Sequence, residues 1–248
     1  MPITLHPVQP DFKETQTSLS SASSSTLCPF TDSPSSFYAS RTLKVNALGI
    51  RALRLPIPSR QREIVVSDDD SEVYVSTRNK RWSGNCILSS SKTGSLIQTD
   101  YSFGPNPTIL RLLQSPGVIS EETKVTGRWT SRSTSFIFRD RDFEWKYVKE
   151  KRSDSKEAHL LILQMVNKKD DHCRIAQLVR DKATRTPGTS KCRAGNGGEL
   201  QIDDAALVEC ELEESIVVAT CLVMLKREVD RRRIVQCAVI AGAVGACS

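Results

Sequence analysis

Hydrophobic and polar positions alternate along most of the chain in short segments, each interrupted by glycine, proline or acidic turn residues. In FEWKYV, the aromatic side chains of Phe143, Trp145 and Tyr147 fall on one face of the segment. A period of two residues is typical of a strand that is buried on one face. About twelve such segments follow one another at the spacing of an antiparallel meander or barrel. They are residues 63–66, 72–78, 85–89, 95–103, 108–113, 123–129, 135–139, 143–148, 159–166, 173–179, 199–202 and 206–212.

The C-terminal part of the chain has a different pattern, with two apolar runs, residues 216–225 and 234–247, separated by the charged segment 226–233. A helix that spans a bilayer needs about 20 apolar residues, and each run is shorter than that. Joining the runs would place the charged segment in the hydrocarbon, at a cost of a few kcal/mol per charge. The sequence therefore predicts no transmembrane span.

The first of these runs predicts a buried helix over residues 215–233. Ser215 is a suitable N-cap, and acidic residues before it and basic residues after it complement the helix dipole. A helix that is apolar on every side must be surrounded by other segments of the protein. We therefore predict a mainly β fold, in which an antiparallel barrel of roughly twelve strands closes around a hydrophobic C-terminal helix.

Composition divides the remainder of the chain. Residues 1–40 are rich in serine and threonine and predict a disordered tail. Residues 41–62 contain basic but no acidic side chains and predict a basic linker. The barrel is then expected over residues 63–233, and a tail of small residues over 234–248.

Candidate chemistry is sparse. The chain has three histidines, and His172 beside Cys173 has no second close cysteine or histidine, so we expect no metal site. No catalytic or nucleotide-binding motif is present, and we expect neither an enzyme nor a cofactor. The eight cysteines form no C-x-x-C pair and several lie in apolar runs, which favours a reducing, intracellular compartment.

About twelve antiparallel strands followed by one hydrophobic helix resemble the tubby C-terminal-like fold of the tubby proteins, the phospholipid scramblases and the plant LURP-one-related proteins. The resemblance covers roughly residues 64–233. Within it, TSRSTSFIF (130–138), FEWKY (143–147), RTPGTSKCRAGNGGEL (185–200) and IVVATCLVMLKREVDRRR (216–233) are similar to a group of uncharacterised fungal proteins of that superfamily. The resemblance implies a function at a membrane surface, because tubby proteins bind phosphoinositides through basic side chains of the barrel. It transfers no individual binding residue.

The net charge of +6 includes two local concentrations of basic residues that fit this expectation. One is the turn RNKRW, where an indole accompanies the cations, and the other lies in and beside the strands that follow residue 124. The predicted lipid-binding residues are Arg78, Lys80, Arg81, Trp82, Arg128, Arg132, Arg139 and Arg141.

The sequence leaves other functions open. A protein-interaction module or structural scaffold, with a basic surface that only contacts solvent, is the alternative to binding of anionic phospholipids. Nucleic-acid binding ranks third, because it requires the basic residues to converge on one face, away from the acidic residues between 199 and 214. We expect a cytoplasmic protein at or near a membrane surface, and the sequence is also compatible with the nucleus.

Overall fold

The computed structural model describes residues 37–52, 61–81, 83–104, 106–115, 117–127, 131–151, 157–166 and 172–245. Within these ranges the chain forms strands followed by two helices. The strands are β1 (Arg41–Val45), β2 (Leu48–Ile50), β3 (Glu63–Asp68), β4 (Ser71–Thr77), β5 (Cys86–Ser90), β6 (Gly94–Asp100), β7 (Thr108–Ser115), β8 (Val118–Thr126), β9 (Thr134–Phe138), β10 (Arg141–Lys151), β11 (Glu157–Val166), β12 (His172–Val179), β13 (Ala194–Asn196) and β14 (Glu199–Ile202). The helices are α1 (Asp204–Glu209) and α2 (Glu214–Gly245).

Twelve strands form a closed antiparallel barrel in the order β1-β14-β12-β11-β10-β9-β8-β7-β6-β5-β4-β3. Strand β1 closes the barrel because it pairs with β14 on one side and with β3 on the other. Strands β2 and β13 form a separate two-stranded sheet. The predicted fold class is confirmed.

Helix α2 supplies the centre of the hydrophobic core. Every residue from Ile216 to Leu225 is buried, and the apolar ones share one cluster with the inward side chains of the barrel strands. The largest side chains of the wall include Phe136, Phe143 and Trp145, all almost completely buried. The prediction of a helix buried on all sides is confirmed for this part of α2.

The first barrel strand lies where the sequence predicted a basic linker, so that prediction is wrong for residues 41–50. In β1, Leu43 and Val45 are buried while Lys44 is exposed. The alternation is present in the sequence, but it is short and its outward positions carry positive charge. The barrel therefore begins at Arg41, and residues 53–60 of the predicted linker lie outside the described residues.

The segment predicted as the last strand, residues 206–212, is not a strand. Its first residues belong to α1, and the side chain of Asp203 caps this helix by accepting a hydrogen bond of 3.1 Å from the N–H of Ala206. An aspartate at the N-cap, a second aspartate in the first turn and the two alanines after it favour helix over strand. The number of predicted strands agrees with the barrel only because β1 replaces this segment.

Helix α2 continues past its predicted end at Arg233 and reaches Gly245. The residues from Ile234 onward include several alanines and no proline, which favours continuation of the helix despite Gly242. The side chain of Gln236 also attaches this extension to the barrel side, donating to the carbonyls of Arg51 and Ala52 at 2.9 and 3.0 Å.

The predicted disordered tail, residues 1–40, lies outside the described residues up to residue 36. Its last residues contact the barrel. The N–H of Tyr38 donates to the Asp203 carboxylate at 3.1 Å, and the Ser40 hydroxyl donates to the carbonyl of Ile202 at 3.2 Å. Residues 37–40 are thus attached next to the end of β14.

The GNGG segment (195–198) brings the chain against α2. Gly195 in β13 has a φ of +71°, and a Cβ there would overlap the carbonyl oxygen of Leu225 and a methyl group of Val229. Only glycine combines this backbone conformation with so close an approach. The contact positions the Gly195 N–H beside α2.

Candidate functional site

The two ends of the barrel differ in charge along the axis of α2. We call the end around Glu214, where α2 begins, the acidic end, and the end around Arg231, where α2 leaves the barrel, the basic end. A helix rises about 1.5 Å per residue, so these two positions are about 25 Å apart. Each barrel strand has one terminus near each end.

At the acidic end, carboxylates surround the start of α2. The Glu214 carboxylate pairs with Arg41 at 2.7 Å and accepts a hydrogen bond of 2.8 Å from the Tyr74 hydroxyl. Arg41 also pairs with Asp68 at 3.2 Å, which places the β3–β4 turn, with its exposed Asp69 and Asp70, at this end. Burial, with the nearby Glu214, raises the pKa of Tyr74 above its ordinary value.

Two predicted lipid-binding residues, Arg139 and Arg141, also lie at the acidic end. Arg139 pairs with Glu213 at 3.0 Å, and Arg141 pairs with Glu211 at 2.8 Å. Arg141 also donates to the carbonyl of Glu209. These guanidinium groups hold the segment between α1 and α2 against the β9–β10 turn, and acidic groups balance their charge.

At the basic end, Glu228 is the centre of one buried polar cluster. Arg180 donates to both carboxylate oxygens at 2.8 and 2.9 Å, and the N–H of Gly195 donates at 2.7 Å. The Tyr147 hydroxyl also donates a hydrogen bond to this carboxylate. Burial raises the pKa of Glu228, whereas the Gly195 N–H and then Arg231 act to lower it. The cluster ties α2 to β10, to the residue that follows β12 and to β13.

A second buried cluster surrounds Asp230. Lys226 places its ammonium 2.6 Å from both carboxylate oxygens, and the Tyr101 hydroxyl donates at 2.7 Å. Arg233 lies farther away, with an N–O distance of 3.7 Å. Burial lowers the pKa of Lys226, and the charge of Asp230 opposes that shift. Lys226 and Tyr101 therefore provide the close hydrogen bonds of the Asp230 carboxylate, and Arg233 adds only a longer contact.

Arg78 is an uncompensated cation next to this cluster. Its guanidinium makes no hydrogen bond or ion pair with any of the described residues, and its buried Nε has no partner. Burial lowers the pKa of Arg78. Arg78, Arg81, Lys226 and Arg233 line one small recess beside α2, with free space of about 30 Å³. Four cations around one recess attract an anion.

The other predicted site residues divide as follows. Lys80 and Arg81 are exposed and follow Arg78 at the basic end. Arg132 is exposed in the segment between β8 and β9, and it lies at the same end because the carbonyl of the preceding Ser131 accepts a hydrogen bond from Arg231. Trp82 and Arg128 lie outside the described residues.

The structure adds basic residues that the sequence did not assign to the site. The charged segment of α2 leaves the barrel at the basic end, and the loop that begins at Arg180 lies there too, because Thr186 donates to the carbonyl of Val45 at 3.1 Å. The sequence shows the arginine run after the buried helix, but it does not show which residues of other segments lie beside that run. The added residues are Lys182, Lys191, Arg231, Arg232 and Arg233.

Beyond this arginine run, α2 presents an apolar surface. Val235, Val239 and Ile240 are exposed by 59%, 66% and 40%. Within the described part of the chain, no helix is both long and apolar enough to cross a membrane.

Basic side chains are thus concentrated at one end of the barrel. Within the described ranges, no group of three or more histidine, cysteine, aspartate or glutamate residues is arranged to hold a metal ion. The buried thiol of Cys221 has a pKa raised by burial to about 12, so it is a poor nucleophile.

No protein-family model, no curated protein and no solved structure matches this chain.

Proposed function

We propose that this chain is a non-enzymatic module that binds anionic lipid headgroups, of the phosphoinositide type, through the basic end of its barrel. We also propose that it belongs to the tubby C-terminal-like superfamily. The closed twelve-stranded antiparallel barrel with a hydrophobic C-terminal helix supports this assignment. Architecture by itself carries no activity, so the functional proposal rests on the basic end.

The observation that carries the proposal is the separation of charge along the barrel axis. At the acidic end, Arg139 and Arg141 are paired with glutamates. At the basic end, Lys80, Arg81 and Arg132 are exposed and make no ion pair with a described residue. A molecule with this polarity orients its basic end toward an anionic surface, and each basic side chain near such a surface contributes about 1 kcal/mol.

The extension of α2 makes a membrane a better partner for this end than a nucleic acid. From Ile234 to Gly245 the helix carries no charged residue, and it projects from the same end that carries the arginines. Its length is about 17 Å, shorter than the roughly 30 Å of a hydrocarbon core. An apolar helix of this length fits the boundary between headgroups and acyl chains.

The arginines at the base of the extension suit this position. Arg231 and Arg232 have long apolar stems, which let the guanidinium groups reach phosphates while the stems contact the acyl chains. Arg231 is also fixed to the barrel, because it donates to the carbonyl of Ser131 at 3.3 Å. The helix and the barrel therefore present one combined surface.

Vesicle co-sedimentation of the full chain tests the proposal. We expect binding to vesicles that contain phosphoinositide or phosphatidylserine, no binding to pure phosphatidylcholine, and loss of binding as salt rises. Charge reversal at Lys80 and Arg81 to glutamate should weaken binding strongly. Lys80→Glu alone has a matched control in Lys92→Glu, the same change at an exposed lysine of the β5–β6 turn near the acidic end.

The apolar part of the surface is tested separately. Val235→Gln combined with Val239→Gln removes apolar area without changing charge, and we expect it to reduce vesicle binding at every salt concentration. Equal binding of the Lys80→Glu and Lys92→Glu variants would refute the assignment to the basic end. Binding to an oligonucleotide but to no vesicle would favour a nucleic-acid function, and binding to neither would favour the protein-interaction alternative.

A further inference from the structure

A cleft of about 620 Å³ lies at the basic end, between α2 and two loops of the barrel. Lys226, Asp230, Arg233, Ile234 and Cys237 form its helical wall. Their spacing places all five on one face of α2. The volume is within the range of roughly 300–1,000 Å³ that is usual for small-molecule sites.

The opposite wall is largely apolar. It comes from Ser83 and Gly84 in the β4–β5 loop and from Tyr101 and Phe103 in the β6–β7 loop. The Tyr101 ring occupies the space that a Cβ at Gly84 would need, so glycine allows the two loops to approach. Phe103 is 59% exposed at the outer part of this wall.

The cleft changes from charged to apolar as α2 leaves the barrel. At its inner end the side chains of Asp230 and Lys226 are 1% and 8% exposed, and that of Arg233 is 15% exposed. At its outer end Ile234 is half-buried and Cys237 is exposed. A ligand that fills the whole cleft needs a polar head and an apolar chain.

The charge of the inner end selects an anionic head. Lys226 and Tyr101 already satisfy the Asp230 carboxylate, which leaves Arg233 at 3.7 Å from it. The buried Nε of Arg233 has no hydrogen-bond partner among the described residues, and the same is true of Arg78 in the adjoining recess. A buried guanidinium nitrogen without a hydrogen-bond partner carries a desolvation cost that a bound anion would offset.

We propose that this cleft binds one single-chain amphiphile with an anionic head, which is the shared chemistry of a long-chain fatty acid and of a monoacyl phosphate. The head contacts the Arg233 guanidinium, with Arg78 behind it. The chain lies along Tyr101, Phe103, Ile234 and the Cys237 side of α2. This site goes beyond the proposed function, because it needs no membrane surface.

Binding is measured with the full chain and a dansylated undecanoic acid, a fatty-acid probe whose fluorescence increases in an apolar site. We expect saturable binding in buffer without vesicles. Dodecanoate and dodecyl phosphate should displace the probe, whereas dodecanol, which has the same chain and no charge, should displace it poorly. Probe binding that dodecanol competes as well as dodecanoate does would overturn the assignment of the anionic head.

Matched variants locate the site. Arg233→Gln should weaken binding about tenfold, since it removes charge-assisted hydrogen bonds to the head, and Arg232→Gln should leave affinity unchanged. Ile234→Gln should weaken binding, and Val235→Gln, an exposed neighbour outside the cleft, should not. Thermal unfolding of each variant confirms that it is folded. Equal effects of the two arginine variants would overturn the proposed site.

Vesicles distinguish the source of the ligand. Displacement of the probe by vesicles that contain lysophosphatidic acid, but not by pure phosphatidylcholine vesicles, supports a membrane lipid, and displacement by dodecanoate alone supports a free fatty acid. The two proposals fail independently. Loss of vesicle co-sedimentation with retained probe binding refutes only the membrane module, whereas absence of saturable probe binding refutes only the cleft ligand.

Discussion

The indole N–H of Trp145, on β10, donates a hydrogen bond of 2.9 Å to the hydroxyl of Thr220 in the buried part of α2. The hydroxyl in turn donates to the carbonyl of Ile216 at 2.7 Å, one turn earlier in the helix. Both side chains are completely buried. This polar link fixes the height and rotation of α2 inside a wall that is otherwise apolar.

Replacing Thr220 with valine keeps the shape of the side chain and removes the hydroxyl that accepts the hydrogen bond from Trp145. The Trp145 N–H would remain buried without a partner, which costs about 1–3 kcal/mol of unfolding free energy. Urea unfolding followed by tryptophan fluorescence measures the loss. Thr220→Ser keeps the hydroxyl and should recover most of that hydrogen-bond contribution, so serine and valine variants of equal stability would contradict the role of this link.

A charge in the buried part of α2 should prevent folding. Val218 is completely buried, and an aspartate there would be an unpaired buried charge that costs several kcal/mol, against a total stability of about 5–15 kcal/mol. Val235→Asp introduces the same side chain at an exposed position of the same helix and should be tolerated. Circular dichroism and size-exclusion chromatography compare the two. Cooperative folding of Val218→Asp would disprove the central position of α2.

The cysteines should differ sharply in reactivity. Burial raises the pKa values of Cys210 and Cys221 to about 12, whereas Cys192 and Cys237 are exposed. Because the thiolate is the reactive form, iodoacetamide should modify the exposed pair first and leave Cys221 unmodified until the protein unfolds. Peptide mapping by mass spectrometry gives the order, and early labelling of Cys221 in the folded protein would contradict its burial.

Stability should fall at alkaline pH. Burial, together with Asp230, raises the pKa of Tyr101 above its unfolded value of about 10, and the pKa of Tyr74 is raised by burial and Glu214. A side chain whose pKa is raised on folding stabilises the folded state. This contribution is fully present below the pKa of the unfolded state, and it is lost as pH rises from there toward the pKa of the folded state. Cys210 and Cys221 act in the same direction from about pH 8.5 upward.

The measurement is the free energy of unfolding in urea between about pH 8 and pH 11. Tyr101→Phe should be less stable than the natural chain at pH 8, because it loses the bond to Asp230, and should show a shallower decline above pH 10. Parallel declines of the two proteins would show that Tyr101 does not contribute to the alkaline loss.

The sequence predicted the parts of the fold that depend on local pattern. The unbroken apolar run from Ile216 identified the buried helix, and alternation identified most barrel strands. It missed β1 because Lys44 and Arg41 there give the composition of a linker, while only pairing with β3 and β14 reveals a strand. It mistook α1 for a strand because a short apolar segment has no decisive period.

The site was less predictable because charge balance depends on contacts between distant parts of the chain. Arg139 and Glu213 are far apart in sequence, and only the fold shows that they pair. Arg78 and Arg139 looked equivalent as basic residues beside strands, yet they lie at opposite ends of the barrel. Local sequence specifies how many charges are present, and the register of the strands decides which remain uncompensated.

The order of elements along the chain has a consequence for synthesis on the ribosome. Strand β1 must wait for β14 before the barrel can close, and α2 is translated after both. The inward faces of all twelve strands therefore have no helix to cover them until α2 emerges. Contacts between residues so far apart in sequence form slowly. Nascent chains that stop before Glu214 should therefore be aggregation-prone and should be recognised by chaperones.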